Sequence, residues 1–195
     1  MLRFAIFIAA VSVLLAGCQT VVGNENSVYY RVPVDSTLVL TRTVMVPAKH
    51  DRIYFRKGKM LTWDQIDQYQ PYCVLQLFTK KDVPQTVKPG EFVVQKVYSQ
   101  TYFQLAQDAR VHVARFDEGG IQEYRVVVTV MELFSNSQPD VLKMKCGKWG
   151  LPQDISNVTI NMIRQELAGV FSLELAEAGT PAPASGRRRE TSPSY

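Results

Sequence analysis

The sequence predicts a mainly β protein of the α+β class, an antiparallel sandwich or partly closed barrel with one short helix and one late helix. Three observations predict it. Short segments rich in Val, Ile, Thr, Tyr and Phe recur between proline and glycine breaks. Only the stretch after Asp154 changes to the 3.6-residue period of a long helix. The composition over 195 residues, 46% hydrophobic and 21% charged, is that of one globular domain, which argues against a largely disordered chain or a polytopic membrane protein.

Taken in order, Val28–Val32 and Thr37–Val46 read as strands bounded by Pro33 and Pro47, and Arg52–Arg56 as a third closed by Lys57-Gly58-Lys59. Thr62-Trp63-Asp64-Gln65 has the form of a capping box and predicts a short helix to about Tyr69, stopped before Pro71. Tyr72–Phe78 and Glu91–Tyr98 follow as strands. Asp117-Glu118-Gly119-Gly120 predicts a hairpin turn joining Arg110–Phe116 to Ile121–Phe134, whose second arm, apolar on both faces, suits a central strand. Val141–Cys146 alternates cleanly, and Cys146 to Pro152 reads as a tight loop with Trp149 covering the helix start. Asp154 is expected to cap a helix carrying Ile155, Val158, Met162, Ile163 and Leu167 on one side and ending at Gly169. Val170–Leu175 returns as a last strand, and residues 177–195 lose all apolar periodicity and read as a disordered tail.

The N-terminus carries the most specific signal. Arg3 precedes the apolar run Phe4 to Leu15, which is too short for a resident membrane helix of about 20 residues but has the proportions of a secretory signal. Leu15-Ala16-Gly17-Cys18 at its end resembles the lipobox of bacterial lipoproteins. That resemblance implies removal of residues 1–17 as signal peptide and diacylglyceryl modification of the Cys18 thiol, with the acyl chains giving stable anchoring. Gln19, where lipoproteins kept at the inner membrane carry Asp, resembles the pattern sorted to the outer membrane on its periplasmic face. In a Gram-positive host the anchor lies on the outer face of the plasma membrane. Residues 18–27 then form a lipidated tether, and 28–176 the β-rich domain. Val32–Leu40, Tyr69–Cys73 and Cys146 also resemble a group of proteobacterial lipoproteins with no assigned activity, so this second resemblance implies no site residues.

With Cys18 assigned to lipid, Cys73 and Cys146 remain as an even pair in an oxidising compartment. They form either a disulfide across neighbouring strands or two separately buried thiols; the even count favours the disulfide. Neither a Cys-x-x-Cys spacing nor a second histidine beside His50 or His112 suggests a metal or other cofactor. No catalytic residue is identified: there is no Gly-x-Ser-x-Gly elbow, and the serines fall in turns and in the tail. Asp64 and Asp67, near Trp63 and Tyr69, have the residue types of a carbohydrate-handling surface, but a helix with Trp63 and Ile66 in the core and its acids in water accounts for them better. Trp63 and Trp149 are retained as possible partner contacts, since an exposed indole there would anchor a protein.

A net charge of +4 falls to about +2 once Arg3, Glu177, Arg187, Arg188, Arg189 and Glu190 are set aside, too little to suggest nucleic acid. The basic clusters Arg56/Lys57/Lys59, Lys80/Lys81 and Lys143/Lys145/Lys148 suit solvated strand ends, or contacts to anionic lipid or glycan. The expectation is a membrane-anchored, non-enzymatic envelope lipoprotein that binds a protein partner in envelope assembly or maintenance. The alternative is a carrier or sensor holding an apolar or glycan ligand within the β domain.

Overall fold

Period-two alternation decides which side chains each strand buries, and a computed structural model describes the result for residues 23–105 and 123–177. The signal segment, Cys18, the Arg110–Phe116 arm with His112, and the tail from residue 178 lie outside the described residues. The strands are β1 (Thr37–Leu40), β2 (Val44–Val46), β3 (Arg52–Arg56), β4 (Lys59–Leu61), β5 (Tyr72–Leu77), β6 (Gln85–Val87), β7 (Gly90–Leu105), β8 (Glu123–Phe134), β9 (Val141–Gly150) and β10 (Phe171–Glu174). Eight of them form one curled antiparallel sheet in the order β10-β1-β7-β8-β9-β5-β3-β4, a half-barrel, while β2 and β6 pair separately. The mainly β antiparallel class read from the sequence is therefore the observed one.

One sheet face carries the core. Leu38 and Leu40 of β1, Phe55 of β3, Leu75 of β5, Phe92 and Val94 of β7, Met131 of β8 and Met144 of β9 are all at most 1% exposed. Helix α1 (Ile160–Leu167) lays Ile160, Ile163 and Leu167 over them, and Val44, Val46 and Val87 of the small sheet close one side. Phe55 meets Phe171 edge-on, with ring centroids 5.6 Å apart, tying β3 to β10 beneath the helix. Cys73 and Cys146 sit directly opposite one another on β5 and β9, Cα atoms 4.1 Å apart, and form a disulfide buried in this core.

Several expected elements are corrected. Thr37–Val46 is two strands: at Thr41 both the amide and the hydroxyl donate to the Val170 carbonyl, and Arg42 donates to the Gly58 carbonyl at 2.7 Å, so the chain leaves the sheet there. Val28–Val32 forms turns and irregular chain; local bonds from the Asn26 amide to Asn24 and from the Tyr29 amide to Ser27 satisfy the backbone without a ladder. β8 pairs with β7 on one side, Leu105 opposite Glu123, and with β9 on the other from Arg125 to Glu132, so no edge is left there for an Arg110–Phe116 arm.

The helix begins five residues later than expected. Thr159, not Asp154, is its N-cap, its hydroxyl accepting from the Met162 amide at 3.2 Å. Asp154 instead closes a turn onto the Leu151 carbonyl, and Asn157 bonds Ser99. Gly169, at φ +70°, ends the helix as expected, and β10 follows where a last strand was read.

Residues Glu25 and Asn26, at the far end of the expected tether, are held against α1. Arg164 makes two bonds to the Glu25 carboxylate at 3.0 and 3.2 Å, and Asn161 donates to Asn26. On its other side α1 anchors the β3–β4 hairpin: buried Glu166 accepts from the Lys57 amide through its carboxylate and from the Gly58 amide through its carbonyl. Gly58, at φ +73°, is required there, because a Cβ would lie 2.1 Å from the Ala168 carbonyl oxygen.

Burial raises the Glu166 carboxyl above its ordinary range, against the opposing pull of the Lys57 amide and the nearby Arg56 and Lys57 charges. The folded protein therefore holds this proton more tightly than the unfolded chain, and the associated stability is complete at low pH and lost as pH rises through the raised folded value. Glu166→Gln, which keeps an oxygen for the Lys57 amide, is expected to flatten that decline. Urea unfolding across the acid-to-neutral range checks it; an unchanged pH slope would remove Glu166 as its source.

Candidate functional site: an aromatic groove on the second sheet face

The register maps the opposite face of the sheet. Residues alternating with the core positions are Arg52 and Tyr54 on β3, Tyr72, Val74 and Gln76 on β5, Lys143, Lys145 and Trp149 on β9, and Val126 and Val128 on β8. Tyr102 on β7 stands opposite Val126, which stands opposite Trp149. A second apolar cluster forms on this face from Ile66, Tyr72, Val74, Val126 and Trp149, with Tyr54, Leu61 and Tyr124 packed against it. No helix covers it among the described residues.

The segment after β4 builds one wall. A 3-10 turn spans Trp63–Gln65, with the Gln65 side-chain oxygen accepting from the Thr62 amide at 3.0 Å and from its hydroxyl at 3.1 Å. The expected short helix to Tyr69 is thus a single turn. Ile66 turns extended and becomes buried, and the Asp67 carboxylate accepts from the Tyr69 amide to start a new turn. Trp63 is 45% exposed rather than in the core, and it leans on Tyr54 and Tyr72 at ring-centroid distances of 5.5 and 6.4 Å.

Trp149 lies in strand β9, not in a loop over the helix start. β9 continues past Cys146 because Gly147 lets β8 approach closely. Trp149 is 6% exposed, its amide donates to the Gln68 carbonyl at 2.8 Å, and Tyr69 packs on it at 6.4 Å.

These walls enclose an open groove of about 630 Å³. Tyr54, Trp63, Tyr72 and Trp149 form its aromatic floor, and Tyr102 and Val128 its far side. At one end stand Lys49, Arg52, Lys80 and Lys145, with Asp51 the one carboxylate among the described residues. Arg52 grips both Asp51 oxygens, at 2.7 and 2.9 Å, and Gln76 adds a third bond at 3.1 Å. The arginine holds the Asp51 carboxyl below its ordinary range.

Lys145, in mid-sheet between Val130 and Val74, makes no ion pair among the described residues. Burial, with help from Lys143 and Arg52, lowers its ammonium below the usual lysine value. Burial pushes the Tyr72 phenol up to about 12, against the Trp149 indole, whose hydrogen bond favours the ionised form.

Both indoles singled out from the sequence, Trp63 and Trp149, thus line the same groove. Asp64 and Asp67 do not line it, and Asp67 instead lies 3.8 Å from Arg56. Lys80 and Lys145, from two of the basic clusters read as strand ends or anion contacts, line it as well, whereas Tyr54, Tyr72 and Arg52 carry no sequence signal beyond the alternation of Arg52, Tyr54 and Arg56 and of Tyr72, Val74 and Gln76, an unusually aromatic second face for a strand pair. His50 lines the groove with its ring Nδ1 2.9 Å from the Ala48 carbonyl, and among the described residues no serine or cysteine lines it. No group of three His, Cys, Asp or Glu side chains suited to a metal occurs among the described residues. In comparison with known proteins, the chain matches no protein family, no curated protein and no solved structure.

Proposed function

We propose that this chain is a non-enzymatic lipoprotein of the cell envelope, anchored through acylated Cys18, which binds a protein partner in the groove on the second sheet face. The observation that carries the partner reading is the pairing of a packed interior with an aromatic groove that no helix covers among the described residues. Trp, Tyr and Arg are the residue types that dominate binding energy at protein interfaces, and here Trp63, Tyr54, Tyr102 and Arg52 line one open depression. A carrier of an apolar ligand needs an enclosed dry volume, whereas the open volume here lies outside the core.

Anchoring rests on the lipobox resemblance and on Gln19, which favours the periplasmic face of the outer membrane. The path from Cys18 to Glu25, where the chain meets α1, spans at most about 25 Å at roughly 3.5 Å per residue. It enters on the helix side of the sheet, opposite the groove. Such an arrangement keeps the domain close to a membrane while leaving the groove open to partners.

Cys18→Ser is expected to abolish acyl labelling and release the protein into the soluble fraction of cells. Continued labelling would overturn the anchor. The partner reading is tested separately by a photo-crosslinking residue at position 63, used in intact envelopes: a discrete adduct that also loses its yield in Tyr54→Ala supports it, and no adduct above a control position on α1 overturns it.

A further inference from the structure

We infer that the groove recognises an acidic peptide segment bearing an apolar side chain, with the carboxylates at the Lys49, Arg52, Lys80 and Lys145 end and the apolar side chain among the aromatic rings. This rests on the partner reading above and names the chemistry of the partner. Charge complementarity selects the sign. Four cationic side chains line one end, and the single carboxylate there among the described residues, Asp51, is already engaged by Arg52 and Gln76. Lys145 is the sharpest case: a partly desolvated ammonium with no ion pair among the described residues, whose charged form an incoming carboxylate would stabilise.

The aromatic end selects the shape. Tyr54 is tilted by 43° to Trp63 and by 48° to Tyr72, and Trp63 stands at 70° to Tyr72. No two of these rings are coplanar, so the floor offers notches between rings that fit a side chain, not the flat platform on which a run of sugar rings stacks. The chain itself is a poor occupant. A second copy, without Arg3 of the removed signal, brings 21 basic against 18 acidic residues, and the sequence beyond residue 177 brings Arg187, Arg188 and Arg189, so both carry the sign of the groove.

The protein has two tryptophans, and both line the groove, so its indole fluorescence is a direct reporter of occupancy. The test titrates the intact domain with four probes: a pentapeptide of central phenylalanine flanked by glutamates, the same peptide with lysines for glutamates, the same with alanine for phenylalanine, and tetragalacturonate. The expected result is a saturable shift with the first peptide, weakened at least tenfold by either peptide change. Lys145→Gln should weaken it similarly, and so should raising salt from 50 to 500 mM.

Equal response to the lysine peptide overturns the charge argument. Tighter response to tetragalacturonate than to the acidic peptide assigns the groove to an anionic glycan and overturns the peptide. Response to no probe also overturns it. Failure here is distinguishable from failure of the partner reading: a crosslinked adduct at position 63 whose yield ignores Lys145→Gln keeps the partner and removes the acidic chemistry.

Discussion

Replacing Cys73 and Cys146 together by alanine is expected to lower stability by about 4 kcal/mol, the chain-entropy value for a bridge closing so long a loop. The sequence separation is 73 residues, so the bridge removes a large share of the freedom of the unfolded chain. Against a total stability of about 5–15 kcal/mol, that loss is from about a quarter to most of the whole. Urea unfolding of the double variant, with the wild type in strong reductant beside it, checks the value. The two midpoints should converge, and a loss under about 1 kcal/mol would mean that the bridge constrains little.

The bridge also bears on the groove. Cys73 and Cys146 face the core, while their sequence neighbours Tyr72, Val74 and Lys145 face the other way. A slip of one residue between β5 and β9 would exchange the two faces, sending Tyr72 and Val74 inward and the core residues out. Opposed cysteines make that slip impossible while they are bonded. The double variant, which lacks the bridge, is therefore expected to show altered Trp149 emission before it unfolds globally.

What the sequence made legible follows a physical divide. Strand β5, the β3–β4 turn, the centrality of β8 and the helix stop at Gly169 were readable because each depends on local pattern or on one residue's conformational freedom. The break at Thr41 was not, because it depends on the Val170 carbonyl, which is distant in sequence. The helix start is not legible because Asp154 and Thr159 are both competent caps, and Asn157 and the β-branched pair Val158-Thr159 decide between them through tertiary contacts. The groove was only half legible. Trp63 and Trp149 stood out by residue type, but Tyr54, Tyr72 and Lys145 join them only through the register of β3, β5 and β9, which short alternating segments do not specify.

Gly147→Ala is the second large effect, with an expected loss of at least about 3 kcal/mol, at the upper end of the range for forcing atoms into a packed site. Gly147 sits between Val128 on β8 and Tyr72 on β5, at the centre of the sheet. A Cβ there would lie 2.4 Å from the Val127 carbonyl oxygen and 2.6 Å from a Val128 methyl. The oxygen belongs to the ladder itself and has no flexible side chain to swing aside, so β8 and β9 must separate. That separation stretches the pairs on either side, Thr129 with Cys146 and Val127 with Lys148, and it acts next to the disulfide. The sign is informative because the backbone of Gly147 is not in the left-handed region: on chain entropy alone, alanine in a strand would stabilise by roughly 0.5–1 kcal/mol. Gly150→Ala provides the contrast within the same strand, since its Cβ would meet only Ile155, at 3.4 Å, an ordinary contact. Denaturation midpoints at unchanged slope should therefore fall sharply for Gly147→Ala and move by less than about 1 kcal/mol for Gly150→Ala. Equal midpoints for the two variants would contradict the close approach of β8 and β9 on which the position of Trp149, and with it the floor of the groove, depends.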